Sequence, residues 1–179
     1  MGSSNFKDRV IIKGRQELWR MPEFILYSDV IDNFNIALNP EDFGGALLDD
    51  GSNLVVDVGR EVTAKVMSGE WPPDPITTFC VGTGGYTTPP QCDTPPNPPL
   101  GTDTDLYNQS FSKPIQSIEH PNMAADTFVT LIEATEWNGY EFSEWGLKLQ
   151  SGKLYSRRTT KPYPKDSSFA ILSKWTIQY

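Results

Sequence analysis

The chain is poor in the residues on which much metal and nucleophile chemistry draws. One histidine and two cysteines in 179 residues leave a zinc site of the usual N/S ligands without a second half-site. Basic groups are scarce too, 15 Lys and Arg against 23 Asp and Glu, for a formal charge of −8. Nucleic acids are held by clustered cations, so this balance disfavours them as partners. Long apolar runs are missing. No stretch approaches the roughly 18 to 20 apolar residues of a membrane span, and the opening Met1-Gly2-Ser3-Ser4-Asn5 lacks a secretory apolar run. We therefore expect a soluble, unexported chain without a membrane partner. In a reducing cytosol Cys80 and Cys92 are expected as two free thiols, with a bridge closing a small surface loop as the alternative.

What is present suffices for a core: 37% of residues are hydrophobic, 12% aromatic and only 21% charged, unlike a disordered chain. The length fits one domain, or one domain with an extension. With 15 prolines and 14 glycines, many short elements and long loops are expected and an extended helical bundle is not. Charge is unevenly spread. Residues 1–22 carry net +3, 23–105 net −12, 106–146 net −5 and 147–179 net +6. Such complementary regions attract within one molecule or orient neighbours on one another.

Along the chain, Val10-Ile11-Ile12 and Glu23-Phe24-Ile25-Leu26-Tyr27 read as short strands, and Asn39-Pro40 and Asp49-Asp50-Gly51-Ser52 as turns. A helix follows, with Ser52 or Asn53 as N-cap, Val55, Val58, Val62 and Val66 on one face and Gly69 at its end. Its valines and Gly59 make it weak alone, so the valine face must lean on a β domain or a partner. Residues 71–105 form a Pro/Gly-rich strand–loop segment, polyproline-like apart from the strand Ile76–Val81. Phe128–Ile132 reads as a buried strand, Asn138-Gly139 as a hairpin turn, Gly146 as the neighbourhood of a bulge and Ser151-Gly152 as a tight turn. The last strand alternates cleanly, Phe169, Ile171, Trp175, Ile177 and Tyr179 against Ala170, Leu172, Lys174 and Thr176. Because it runs to the last residue, no tail for targeting or regulation is expected. The fold class is mainly β: a small antiparallel β-sandwich-like domain with one short N-terminal helix and long Pro/Gly-rich loops. Residues 1–52 are an N-terminal arm or extension, partly disordered in isolation; 53–70 the helix; and 71–105 and 106–179 one unit with it.

The succession of motifs is similar to small structural proteins of tailed bacteriophages, of the tail-collar or tail-fibre-associated kind. It runs from Gly59-Arg60-Glu61 and Met67-Ser68-Gly69-Glu70 through Val81-Gly82-Thr83-Gly84-Gly85 and Thr102-Asp103-Thr104-Asp105-Leu106 to Phe111-Ser112-Lys113-Pro114-Ile115. Asn138-Gly139-Tyr140-Glu141-Phe142-Ser143-Glu144-Trp145-Gly146-Leu147, Leu154-Tyr155-Ser156-Arg157-Arg158-Thr159 and the final strand complete it. The likeness covers residues 54–179; the loop Tyr86–Pro99 is longer than the pattern, and residues 1–50 match nothing in it. It implies a non-enzymatic virion protein in the tail baseplate or fibre-attachment region. Its partners would be other tail proteins (baseplate, tube or fibre components) within a symmetric homo-oligomer, located in the virion tail and, during assembly, in the host cytoplasm. A neck- or head-associated or decoration protein and a host-glycan-binding module are the alternatives.

No catalytic, cofactor or metal site is assigned. Gly82–Gly85 lacks the Lys-Ser/Thr and helix of a phosphate loop and reads as a close backbone approach. Asp126, Glu133, Glu136, Glu141 and Glu144 include the carboxylates a glycosidase would need, but solvated groups are their simpler reading. His120 reads as a solvated loop residue. Candidates for protein contacts are the basic run Arg157, Arg158, Lys161 and Lys165, otherwise a solvated face, the aromatics Trp137 and Tyr163 beside turns, and the helix residues Val58 and Val62. Phe142, Trp145, Phe169 and Trp175 are expected in the core.

Overall fold

The computed structural model describes residues 12–86 and 97–179. Among the described residues there are nine strands, three short α-helices and a 3-10 turn at Pro40–Phe43: β1 Lys13–Pro22, α1 Tyr27–Asp32, α2 Phe34–Leu38, β2 Ala46–Val55, α3 Asp57–Met67, β3 Ile76–Gly82, β4 Gln109–Pro114, β5 Ser117–Asn122, β6 Ala125–Ile132, β7 Tyr140–Leu149, β8 Leu154–Lys165 and β9 Phe169–Gln178. All pairings are antiparallel, in the order β4-β3-β7-β8-β2-β1-β9-β6-β5.

The two ends of that order are consecutive in the chain. β4 and β5 are joined by Ile115 and Gln116, whose N–H groups donate to Thr77 O of β3 (2.9 Å) and Val129 O of β6 (3.0 Å). The curled sheet thus approaches a flattened barrel left open between β4 and β5, each of which pairs with one neighbouring strand among the described residues. At the opposite corner β2 passes between halves: its residues from Ala46 to Asn53 pair with β1, and Leu54 and Val55 pair with β8.

Alternation along the strands then sorts the side chains. Leu18, Phe79, Phe128, Phe142, Trp145, Leu147, Phe169, Ile171 and Trp175 meet in the interior. The other face of β1, β6 and β9 carries Met21, Val129, Leu131, Ala170 and Leu172, covered by Ile25, Val30, Ile36 and Ala37 from α1, α2 and the turn before them. Beyond β3, β7 and β8 a smaller cluster joins Cys80 and Leu154 to Val56 and Leu106. α3 closes one end of the barrel by directing Val62 into the interior, flanked by the half-buried Val58 and Val66. A fully buried aliphatic side chain stabilises by about 1.5–3 kcal/mol. Gly59 lets the helix sit that close, since a Cβ there would stand 2.5 Å from Tyr155 O.

The mainly β architecture and the strand Ile76–Val81 stand, and Phe142, Trp145, Phe169 and Trp175 are interior. Several expectations are corrected. β1 is a central strand paired on both sides, so described residues 12–52 are part of the barrel and not an arm. Residues 23–27 turn into α1 because α1 and α2 are needed to cover the second apolar face, and the described residues hold three α-helices rather than one. Asp49–Ser52 pair with β1 as strand, and Val55 belongs to β2, so α3 starts at Asp57. Asn138-Gly139 joins no hairpin: Gly139 turns with φ 84°, but β6 and β7 lie in opposite halves. The bulges of β7 flank Gly146, at Phe142/Glu144 and Leu147/Lys148. Much of the proline-rich loop, with Cys92, and the Val10-Ile11 part of the first expected strand lie outside the described residues.

Candidate functional site

The expected basic run divides by strand alternation and local cover. Arg157 is fully buried on β8, donating to Asp103 Oδ2 (2.9 Å) and Glu144 Oε2 (3.1 Å) with its guanidinium 4.1 Å from the Tyr107 ring. Arg158 points the other way, to Gln16 O (2.8 Å) and Asp49 Oδ2 (3.1 Å). Lys165 is buried among Asn138 Oδ1 (2.9 Å), Asp166 O (2.7 Å) and Ala134 O (3.2 Å), and burial lowers its pKa against the opposing pull of Asp166 and Glu136. Only Lys161 is exposed. A solvated face is therefore not what this run forms. Val62 is buried, and Val58 half-buried, against their own barrel. Trp137, in a left-handed backbone conformation (φ 55°), is half-buried and stacked on Phe111 at 4.9 Å. Tyr163 donates to Leu48 O (3.1 Å), and burial with nearby Asp49 pushes its hydroxyl up to about 12.

Glu144, read from sequence as one solvated carboxylate among five, is a completely buried anchor. Besides Arg157 it accepts from the N–H groups of Gly84 (3.0 Å), Tyr107 (3.0 Å) and Asn108 (2.6 Å). The glycine stretch is a close backbone approach, as its composition suggests. A Cβ on Gly84 would lie 2.5 Å from Glu144 Oε1, so the turn that elsewhere cradles phosphate here receives the chain's own carboxylate. Cys80 is a free, buried thiol, raised by burial to about 12.

A cleft of about 300 Å³ opens at the α3 end of the barrel, with apolar walls from Val62, Val66, Ile76, Phe128 and Leu149. Polar groups line it too. Thr63 Oγ1 lies 3.3 Å from Tyr155 Oη and Asp126 Oδ1 lies 2.7 Å from His120 Nδ1, with Tyr179 on the same wall as Tyr155 and Asp126. Burial raises the hydroxyls of Tyr155 and Tyr179 above their ordinary range, keeping both neutral. His120 faces a carboxylate here. What the cleft offers is an apolar recess with a hydrogen-bonded rim. It brings together residues far apart in sequence, among them Val62, a contact candidate of the sequence analysis, and His120 and Asp126. Among the described residues no group of three or more His, Cys, Asp or Glu is disposed to hold a metal ion, and no helix is long and apolar enough to cross a membrane.

The helical cover exposes several apolar side chains among polar ones such as Glu23, Asp32, Asn33 and Asn35. Phe24 is 70% exposed, and Leu26, Tyr27, Ile31, Leu38 and Leu47 are exposed as well. All six fall between residues 24 and 47, the stretch that carries α1 and α2.

No family model, no curated protein and no solved structure matches the chain.

Proposed function

We propose that this chain is a non-enzymatic structural component of a tailed-phage virion, in the tail baseplate or fibre-attachment region, linking neighbouring tail proteins within a symmetric homo-oligomer. The observation that carries a structural role is the set of exposed apolar side chains on the α1–α2 cover. Apolar groups concentrated on one short surface stretch favour burial against another protein, and their removal from water is the main favourable term in association. The internally braced β domain suits a rigid block, because its buried charged groups hold its own loops. The motif order supplies the tail as the setting.

The glycan-binding alternative draws less from the geometry. The Trp137 ring is covered on one face by Phe111, and the Tyr163 hydroxyl is already bonded. A neck or head position would use the same block and differ only in location on the particle.

The test is the mass of the purified chain by light scattering together with imaging of virions carrying a label on it. Oligomers with label at the tail tip or fibre base are expected, and Phe24→Ser with Ile31→Ser should lower the mass and abolish incorporation. Virions without the protein would overturn the proposal. Label at the neck or head would move it there, and a monomer unaffected by the double substitution would remove the apolar side chains as its contact.

A further inference from the structure

β5 alternates between two clefts. Ile118 and His120 face the α3 cleft, and Glu119, between them, lines a second cleft of about 370 Å³ on the outer side of the barrel. Around Glu119 stand Glu17 of β1, Thr127 of β6, Lys174 and Thr176 of β9, and Leu38 of α2.

Glu119 is only 6% exposed, and its Oε1 is shielded from water with no hydrogen-bond partner. Its neighbours are engaged elsewhere. Lys174 Nζ donates to Leu38 O (3.4 Å) and lies 3.9 Å from Glu17 Oε2, and the hydroxyls of Thr127 and Thr176 bond each other at 2.8 Å. A buried carboxylate oxygen without a donor is among the costliest polar groups to leave unmatched. Burial raises the acid of Glu119 above its ordinary range, with Lys174 opposing. Of the two carboxylates of the cleft, Glu17 faces both Lys174 and Arg15 (3.7 Å), which leaves Glu119 as the one without a bonded cation, and the rim includes the exposed Leu38.

We propose that this cleft receives one basic side chain, lysine or arginine, from a partner protein, with its N–H donating to the Glu119 carboxylate. The aliphatic stem of such a side chain lies on Leu38 while its charged head enters the cleft. A charge-assisted bond to a shielded carboxylate is stronger than one in water. The inference stands on the orphaned oxygen of Glu119 and its want of a bonded cation, and does not require a virion setting.

The experiment titrates the full chain with ethylguanidinium chloride and with the blocked peptide acetyl-Ala-Leu-Arg-Ala-amide, following amide resonances of Glu119, Thr127 and Thr176. n-Butanol and the Arg→Gln peptide are the neutral controls. Both cations should give saturable shifts with millimolar midpoints, the peptide the tighter, and Glu119→Gln should weaken them about tenfold or more. In the unaltered protein, the midpoint of the Glu119 carboxyl titration should also fall when the cation is present. Glu17 on β1 and Lys174 on β9, the charged groups facing it, are to be followed alongside. Equal shifts with the neutral controls, equal binding by the Glu119→Gln protein or an unmoved carboxyl midpoint would each overturn the proposal. Binding of ethylguanidinium but not of the peptide would make the cleft a site for free cations and refute a side-chain receptor.

Discussion

Glu144→Ala tests the claim that a buried carboxylate, and not the apolar core alone, holds the loops of the β3/β7/β8 half in place. The substitution removes one of two anions facing Arg157 and leaves three N–H groups, of Gly84, Tyr107 and Asn108, without an acceptor. Removing one partner of a buried ion pair costs about 3–5 kcal/mol, and each N–H that stays buried and unmatched about 1–3 kcal/mol more. Both loops end near the surface, so part of that second penalty is relieved by water, and a loss of about 4–5 kcal/mol is expected. For a domain stabilised by about 5–15 kcal/mol this is severe. Glu144→Gln, which keeps an oxygen acceptor, is the milder companion at about 2 kcal/mol. Urea unfolding followed by tryptophan fluorescence measures both. Arg157→Leu alone should cost about 4 kcal/mol, since it strands Asp103 and Glu144, while the Glu144→Ala/Arg157→Leu double variant should cost far less than the two losses added. A Glu144→Ala loss below about 1 kcal/mol, or additive single losses, would refute the anchoring role.

Gly59→Ala should destabilise the fold despite the roughly 1 kcal/mol by which alanine favours a helix over glycine, because its Cβ would meet Tyr155 O; a raised melting temperature would contradict this packing. In a Cys92→Ser background, Cys80 should resist thiol reagents at pH 8 until the protein unfolds, since a pKa of about 12 leaves roughly one thiolate in ten thousand there, and rapid native labelling would oppose its burial. Cys80, Tyr155 and Tyr163 all have raised folded pKa values. Their contribution is complete below their unfolded values and is lost as pH climbs through the folded ones, so stability should decline from about pH 9 to pH 12, and a flat profile across that window would disagree. Amides of β1 should be among the best protected in hydrogen exchange, as the strand is paired on both sides, and rapid exchange from Gln16 to Trp19 would return it to the role of an arm.

Period-two alternation was readable wherever a strand buries both faces unequally. β9 showed it, because Ile171 and Trp175 enter the interior while Ala170 and Leu172 meet the helical cover. β1 did not, because Gln16 and Glu17 interrupt its pattern, and Gln16 is a buried amide donating to Ser173 Oγ at 3.0 Å. β2 failed for a similar reason. Asp49, Asp50, Gly51 and Ser52 have turn chemistry, yet their carboxylates are drawn to Arg158 and Arg15 across the sheet, so long-range pairing outweighed local preference. The anchoring role of Glu144 left one faint mark, an acidic residue between Phe142 and Trp145 in an otherwise buried strand, but its partners Tyr107 and Asn108 lie 37 and 36 positions away and only the fold brings them near. Glu119 left none. Between Ile118 and His120 it looks like the solvated position of an edge strand, and its burial follows from the pairing of β5 with β6, which sets it beside Thr127, Thr176 and Leu38 of α2. A buried charge whose partner is another part of the chain becomes structure, as Arg157 does with Glu144. One whose partner is missing, as Glu119's is, marks the place where the surface has more to bind, and Leu38 ties that place to the exposed apolar side chains of the same helical cover.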